Sequence, residues 1–362
     1  MYPKLIIDLK KLNSNLDAVA KITKEDGNCS LMIVTKGLCA DPQMVKLVAE
    51  HKSVDFMADS RVKNIATYAD LARKNGKKTV LLRLPMHSEI EEVVKYVDLS
   101  FNSEISTIRL LNEEAARQKK LHKVLLMIDL GDLREGLFYK EEALIFNTIE
   151  EILKMSNVEF YGIGVNLTCY GAIIPKNDNL SILAGLAEKI EKTYSTHLHM
   201  VSGGNSSSIY LIGKGELPKG INNLRLGEAF LLGNDTAYGA KLPGTTGDTL
   251  TLEAQIVELQ KKPSLPIGEV GVDAFGQKPY YEDRGIIKRA IIGIGKQDTD
   301  LDSMTPIDEK IDILGGSSDH TILDVTKSDT EYKVGDIVSF ELGYGGMLKT
   351  ATSPYVEKEY RK

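Results

Sequence analysis

What is scarce in this sequence narrows the field. Cysteine is rare: Cys29, Cys39 and Cys169 are odd in number, far apart, and never form a CxxC. A disulfide framework or a structural zinc site is therefore not expected, and a reducing cytoplasm is the natural setting. Long apolar runs are missing, and none approaches the roughly 20 residues of a membrane span. The start, MYPKLIIDLKKLNSN, carries no charged region ahead of a long apolar stretch, so no secretory signal is expected. Positive charge is not in excess: 45 Lys+Arg face 51 Asp+Glu, a net charge of -6. A nucleic-acid binder should carry a basic face, so that class is set aside.

What is present suits a large soluble protein. The 362 residues are 42% hydrophobic and 27% charged. That length fits one α/β unit of roughly 250 residues plus a smaller partner. Up to about residue 240, apolar runs alternate with amphipathic stretches. The runs at 31–37, 79–85, 123–131, 160–169 and 198–208 are continuous enough for strands buried on both faces. The stretches at 42–51, 61–74, 105–120, 142–156 and 180–195 have helical spacing, and Asp41-Pro42 reads as a helix start. About seven or eight such units predict a parallel (β/α)8 barrel, whose chemistry belongs at the C-terminal ends of the strands. From 241 to 362, short runs separated by Gly, Pro and Asp turns predict a mainly β domain with no long amphipathic helix.

Four places break the apolar pattern with polar groups. Lys36 ends the run IVTKG; it reads either as a snorkelling lysine or as a Schiff-base lysine activated by desolvation. SGGNSSS (202–208) ends another run and reads as a capped turn or as an anion site of backbone N–H groups. Arg225 interrupts NNLRLGEAFLLG and needs an acceptor, in a structural ion pair or in a ligand, because it cannot deprotonate. Arg134 sits among Asp129, Asp132 and Glu135, so its fork suits either a substrate carboxylate or a local carboxylate.

In order and spacing, these motifs resemble the alanine-racemase-like, fold type III family of pyridoxal-phosphate enzymes. Within it they are most similar to the ornithine-racemase group of amino-acid racemases. IGIGKQD (292–298), SSDHTILDV (317–325) and ATSPYVEKEY (351–360) extend the resemblance through the second domain. The resemblance implies an N-terminal TIM barrel (1–240) that holds pyridoxal 5'-phosphate and a C-terminal β-domain (241–362). It implies a racemase that moves a proton at Cα, and a homodimer with shared active sites. Residue by residue, Lys36 matches the lysine that holds the cofactor and acts as one base. Asn205 and Ser206 match the phosphate-binding pair, with the backbone of Gly227 and Glu228 as a second contact. Arg225 matches the arginine on the pyridine nitrogen, and Arg134 the one near the phenolic oxygen and the substrate carboxylate.

Several positions depart from alanine racemases. Where those enzymes place their second base, a tyrosine, this sequence has Lys296; Asp319, His320 and Tyr344 are further candidates. Ala40 replaces a phosphate-binding tyrosine, a role Tyr344 could fill, and Met127 stands where some relatives carry a modified lysine. The substrate expected from the resemblance is ornithine or a similar basic amino acid, with Asp132 and Glu135 as acidic groups that could attract it. Alternatives are an alanine or broad-specificity racemase, a non-catalytic pyridoxal-phosphate carrier, a D-threonine aldolase-like lyase, and a cofactor-free sugar-processing barrel. No metal site is expected.

Overall fold

Short, aliphatic runs of three to eight residues set the first layer. The computed structural model describes all residues, 1–362. Its strands are β1 (Lys4–Asp8), β2 (Ser30–Val34), β3 (Phe56–Asp59), β4 (Lys78–Leu81), β5 (Leu99–Asn102), β6 (His122–Asp129), β7 (Leu137–Phe138), β8 (Val158–Gly164), β9 (Met200–Ser202) and β10 (Asn223–Leu226). Helices α1 (Leu9–Ala20), α2 (Pro42–Glu50), α3 (Val62–Lys74), α4 (Ile90–Tyr96), α5 (Ile105–Arg117), α6 (Glu142–Leu153), α7 (Asn177–Tyr194), α8 (Tyr210–Gly213) and α9 (Glu228–Leu231) fall between or after them. The later elements are β11 (Leu250–Pro263), β12 (Ile286–Ile292), β13 (Met304–Pro306), β14 (Asp312–Gly316), β15 (Thr321–Asp324), β16 (Ile337–Leu342), α10 (Tyr344–Thr352) and β17 (Glu357–Arg361).

Residues 11–247 form one unit. Its parallel strands run β2-β3-β4-β5-β6-β8-β9-β10, and β10 pairs back onto β2, which closes the barrel. Alternate residues of neighbouring strands point inward. Met32 and Val34, Phe56 and Ala58, Leu99 and Phe101, and Leu125 and Met127 form the packed interior. Helix starts follow the sequence where a cap is present. Asp41 accepts hydrogen bonds from the backbone N–H groups of Gln43 and Met44 at 3.0 and 3.2 Å, with Pro42 opening α2.

Residues 1–10 and 248–362 form the second unit. Its antiparallel sheet runs β13-β16-β11-β12-β15-β14, and β1 joins it between β11 and β17. The first strand thus pairs with the β-unit, not the barrel as the reading of 1–240 had it. Its fully buried Leu5 and Ile7 give it a face that the sheet covers. Helix α10 also differs from expectation, since GYGGML reads as a turn. Gly345 and Gly346 come so close to Ser303 that a Cβ would meet its Oγ at 2.8 Å and its backbone oxygen at 3.0 Å. The glycines thus let α10 lie against the Leu301–Ser303 turn.

Candidate active site

Because the barrel strands are parallel, the residues that follow β2, β3, β6, β8, β9 and β10 share one end of the barrel. Lys36 is there, exposed, in the single 3₁₀ turn Thr35–Leu38 after β2. The turn is tied down from below. Thr35 donates to Asp59 Oδ2 at 2.7 Å, and Asp59 also accepts from the Arg61 N–H and the Asn64 amide. Burial pushes the Asp59 carboxyl up, against those hydrogen bonds.

Arg225 lies at this end with 4% exposure, its guanidinium 5.2 Å from the Phe101 ring centre. Nη1 donates to Ser202 Oγ at 2.7 Å, and Nη2 to the Val165 carbonyl at 2.7 Å and to Asn166 Oδ1 at 3.4 Å. All these partners are neutral, so the structural ion pair that the sequence left open is not formed. Burial pulls its pKa down to about 10. That is still well above neutral pH, so the donor is kept. Asn166 was not singled out in the sequence; its only signal was a polar residue at the end of an apolar run.

SGGNSSS builds a loop between these groups. Asn205 Nδ2 donates to Asn166 Oδ1 and to the Leu167 carbonyl, and its Oδ1 accepts from the Ser207 N–H. The Asn205 side chain therefore shapes the loop from within. Ser206 Oγ accepts from the Ala229 N–H at 3.1 Å and the Gly227 N–H at 3.4 Å, which joins this loop to the start of α9. The backbone N–H groups of Ser206 and Glu228 make no hydrogen bond within the chain. Gly227 passes close to β2, where a Cβ would lie 3.4 Å from Val34 Cβ.

The acidic motif after β6 is committed internally. Asp129 accepts from Gly131 and Leu133, and Asp132 accepts from Thr168, Tyr170 and Gly171. Arg134 forms a short ion pair with Glu135, the local pairing that its sequence context allowed. Asp132 and Glu135 are thus not free to draw in a cationic substrate. In the second unit, Lys296 Nζ lies 3.5 Å from Asp273 Oδ2 and 4.5 Å from the Phe275 ring centre. His320 and Asp319 are exposed, and Tyr344 opens α10. Met127 is buried in the barrel interior and Ala40 is buried after the Lys36 turn. No group of three or more His, Cys, Asp or Glu side chains is placed to hold a metal ion.

Residues 7–235 match the family described as alanine racemase, N-terminal domain. The chain belongs to this family. An ornithine racemase of Acetoanaerobium sticklandii is 55% identical over 359 residues, covering 99% of both chains. A lysine racemase of Thermotoga maritima is 37% identical over 362 residues, again covering 99% of each. Among solved structures, an alanine racemase of Clostridium difficile 630 superposes with a TM-score of 0.72 at 18% identity, covering 100% of this chain and 96% of that one. The family match spans the closed parallel barrel, and the superposed solved structure covers the β-unit as well.

Proposed function

We propose that this chain is a pyridoxal 5'-phosphate-dependent amino-acid racemase that inverts Cα of ornithine or a similar basic amino acid. The observation that carries it is Arg225: a buried guanidinium with neutral partners, at the barrel end that also presents Lys36. The residues present fit the cofactor. Arg225 Nε–H is unused inside the chain and suits a ring nitrogen. The Ser206 hydroxyl and the free backbone N–H groups of Ser206 and Glu228 suit a phosphate. The ornithine and lysine racemases support a basic substrate.

When bound, the cofactor supplies an electron sink for the charge left at Cα. Lys36 would hold it and would serve as the base on one face of Cα. Arg225 would hold the ring nitrogen by a hydrogen bond while keeping its own proton, which would keep that sink weak. Arg134, held by Glu135, orients the substrate carboxylate. In the proposed homodimer the other chain's second unit would supply the group on the opposite face, with Lys296 as the first candidate and Asp319, His320 and Tyr344 as the others. Tyr344 also stands as a candidate phosphate contact. The protein acts as a homodimer with shared sites. No helix is long and apolar enough to cross a membrane. A cytoplasmic location suits the three free cysteines.

The test is incubation of the purified protein and pyridoxal phosphate with L-ornithine in D2O, followed by chiral separation and mass measurement. D-ornithine carrying one deuterium at Cα is expected. Lys36→Ala should lower the rate by about 10²- to 10⁴-fold or more. Exchange without inversion, or no exchange with any basic amino acid, overturns the reading.

A further inference from the structure

Most carboxylates at the barrel mouth are already engaged, and two are not. Asp59, Asp129 and Asp132 accept from backbone or side-chain donors, Asp41 caps α2, and Glu135 holds Arg134. Glu104, after β5, is exposed to water, where an ion pair discriminates little. Glu228 is half-buried, and its carboxylate has neither a hydrogen bond nor an ion pair.

Its place is set by strand register. β10 and β2 run parallel, with Leu226 opposite Ile33. Gly227 then packs against Val34, and Glu228 follows it at the start of α9 as Thr35 and Lys36 follow Val34. The one half-buried carboxylate of the mouth without a partner therefore opens α9, just beyond the strand that pairs with β2, and β2 leads into the Lys36 turn. Burial alone pushes this carboxyl up to about 7. A half-buried carboxylate without a partner is costly to the fold, and an arriving ammonium ion supplies the missing donor.

We propose that the Glu228 carboxylate receives the terminal ammonium of the substrate and selects a basic amino acid over a neutral one. This rests on the racemase reading above and names the group that sets its substrate class. The methylene chain of ornithine separates the terminal amine from Cα, which lets one end meet Glu228 while the other is worked on beside Lys36.

The experiment compares wild type, Glu228→Gln and Glu228→Asp on L-ornithine, L-lysine and L-norvaline, the last having the ornithine chain without its terminal amine. Cα deuterium exchange gives the rates, and cofactor released in base gives the loading of each variant. In Glu228→Gln, KM for ornithine should rise about tenfold or more with a smaller change in kcat. The ratio of ornithine to norvaline kcat/KM should fall by a similar factor. Glu228→Asp keeps the charge on a shorter arm, so it should recover part of the loss and shift preference toward the longer lysine. Equal losses on ornithine and norvaline, or no loss on ornithine, overturn the proposal. If wild type turns over no norvaline, the split between KM and kcat for ornithine decides. A wild type inert toward all three overturns the racemase reading itself, and this assignment with it.

Discussion

Arg225 and His122 show two ways in which one buried side chain is tolerated. Arg225 keeps its charge because four neutral and aromatic contacts surround it, and because one N–H remains for a ligand. His122 gives its charge up. Burial pulls its imidazole down to about 4, with Asp98 and Lys120 acting in opposite directions, and its Nε2 is hydrogen-bonded to Ser100 at 2.8 Å. Its ordinary value is 6.5. Between the two, the unfolded chain binds a proton that the fold refuses. Stability from this residue is therefore whole above about 6.5 and falls as the pH drops toward about 4. The loss is roughly 3 kcal/mol at most. Melting curves from neutral to acid pH should show a shallower loss for His122→Asn than for wild type; equal slopes would refute this. Lys36, Arg134, Asn205, Ser206 and Arg225 were legible in sequence because polar groups there break apolar runs. The commitments of Asp129 and Asp132 were not, because a carboxylate looks the same whether it faces a ligand or a loop N–H.

At the scale of elements, the barrel closes only where strands can approach. Gly162 in β8 has φ +155°, and a Cβ there would stand 1.8 Å from the Met200 carbonyl oxygen of β9. Gly162→Ala should therefore lower stability by about 3 kcal/mol or more. Gly185, exposed in the middle of α7 with nothing near its missing Cβ, should gain about 0.5–1 kcal/mol on change to Ala. Denaturant titration of the two variants checks both signs. Helices α2, α3, α5, α6 and α7 lie close to where spacing placed them, since amphipathic periods are long signals. Strands β3 and β5 are four residues each, too short to stand out as runs. α10 was hidden because its glycines are chosen for close packing, and local propensity reads them as turn.

At the scale of the whole molecule, the proposed dimer predicts complementation. Lys36→Ala and Lys296→Ala chains, each weak alone, should regain up to about a quarter of the wild-type rate when mixed and allowed to exchange, because one shared site is then intact. No recovery, in a mixture shown to contain hybrid dimers, would argue against shared sites. The sequence by itself determined the alternation that makes a parallel barrel, the change to β texture near residue 240, and the residues that interrupt buried strands. Each is a local pattern set by burial and period. Only the tertiary structure decided that β1 belongs with the last 115 residues, that Arg225 has no carboxylate partner, and that the half-buried Glu228 carboxylate is left without one. Those are pairings between residues far apart in the chain, and no local pattern encodes which acceptor a buried donor will meet.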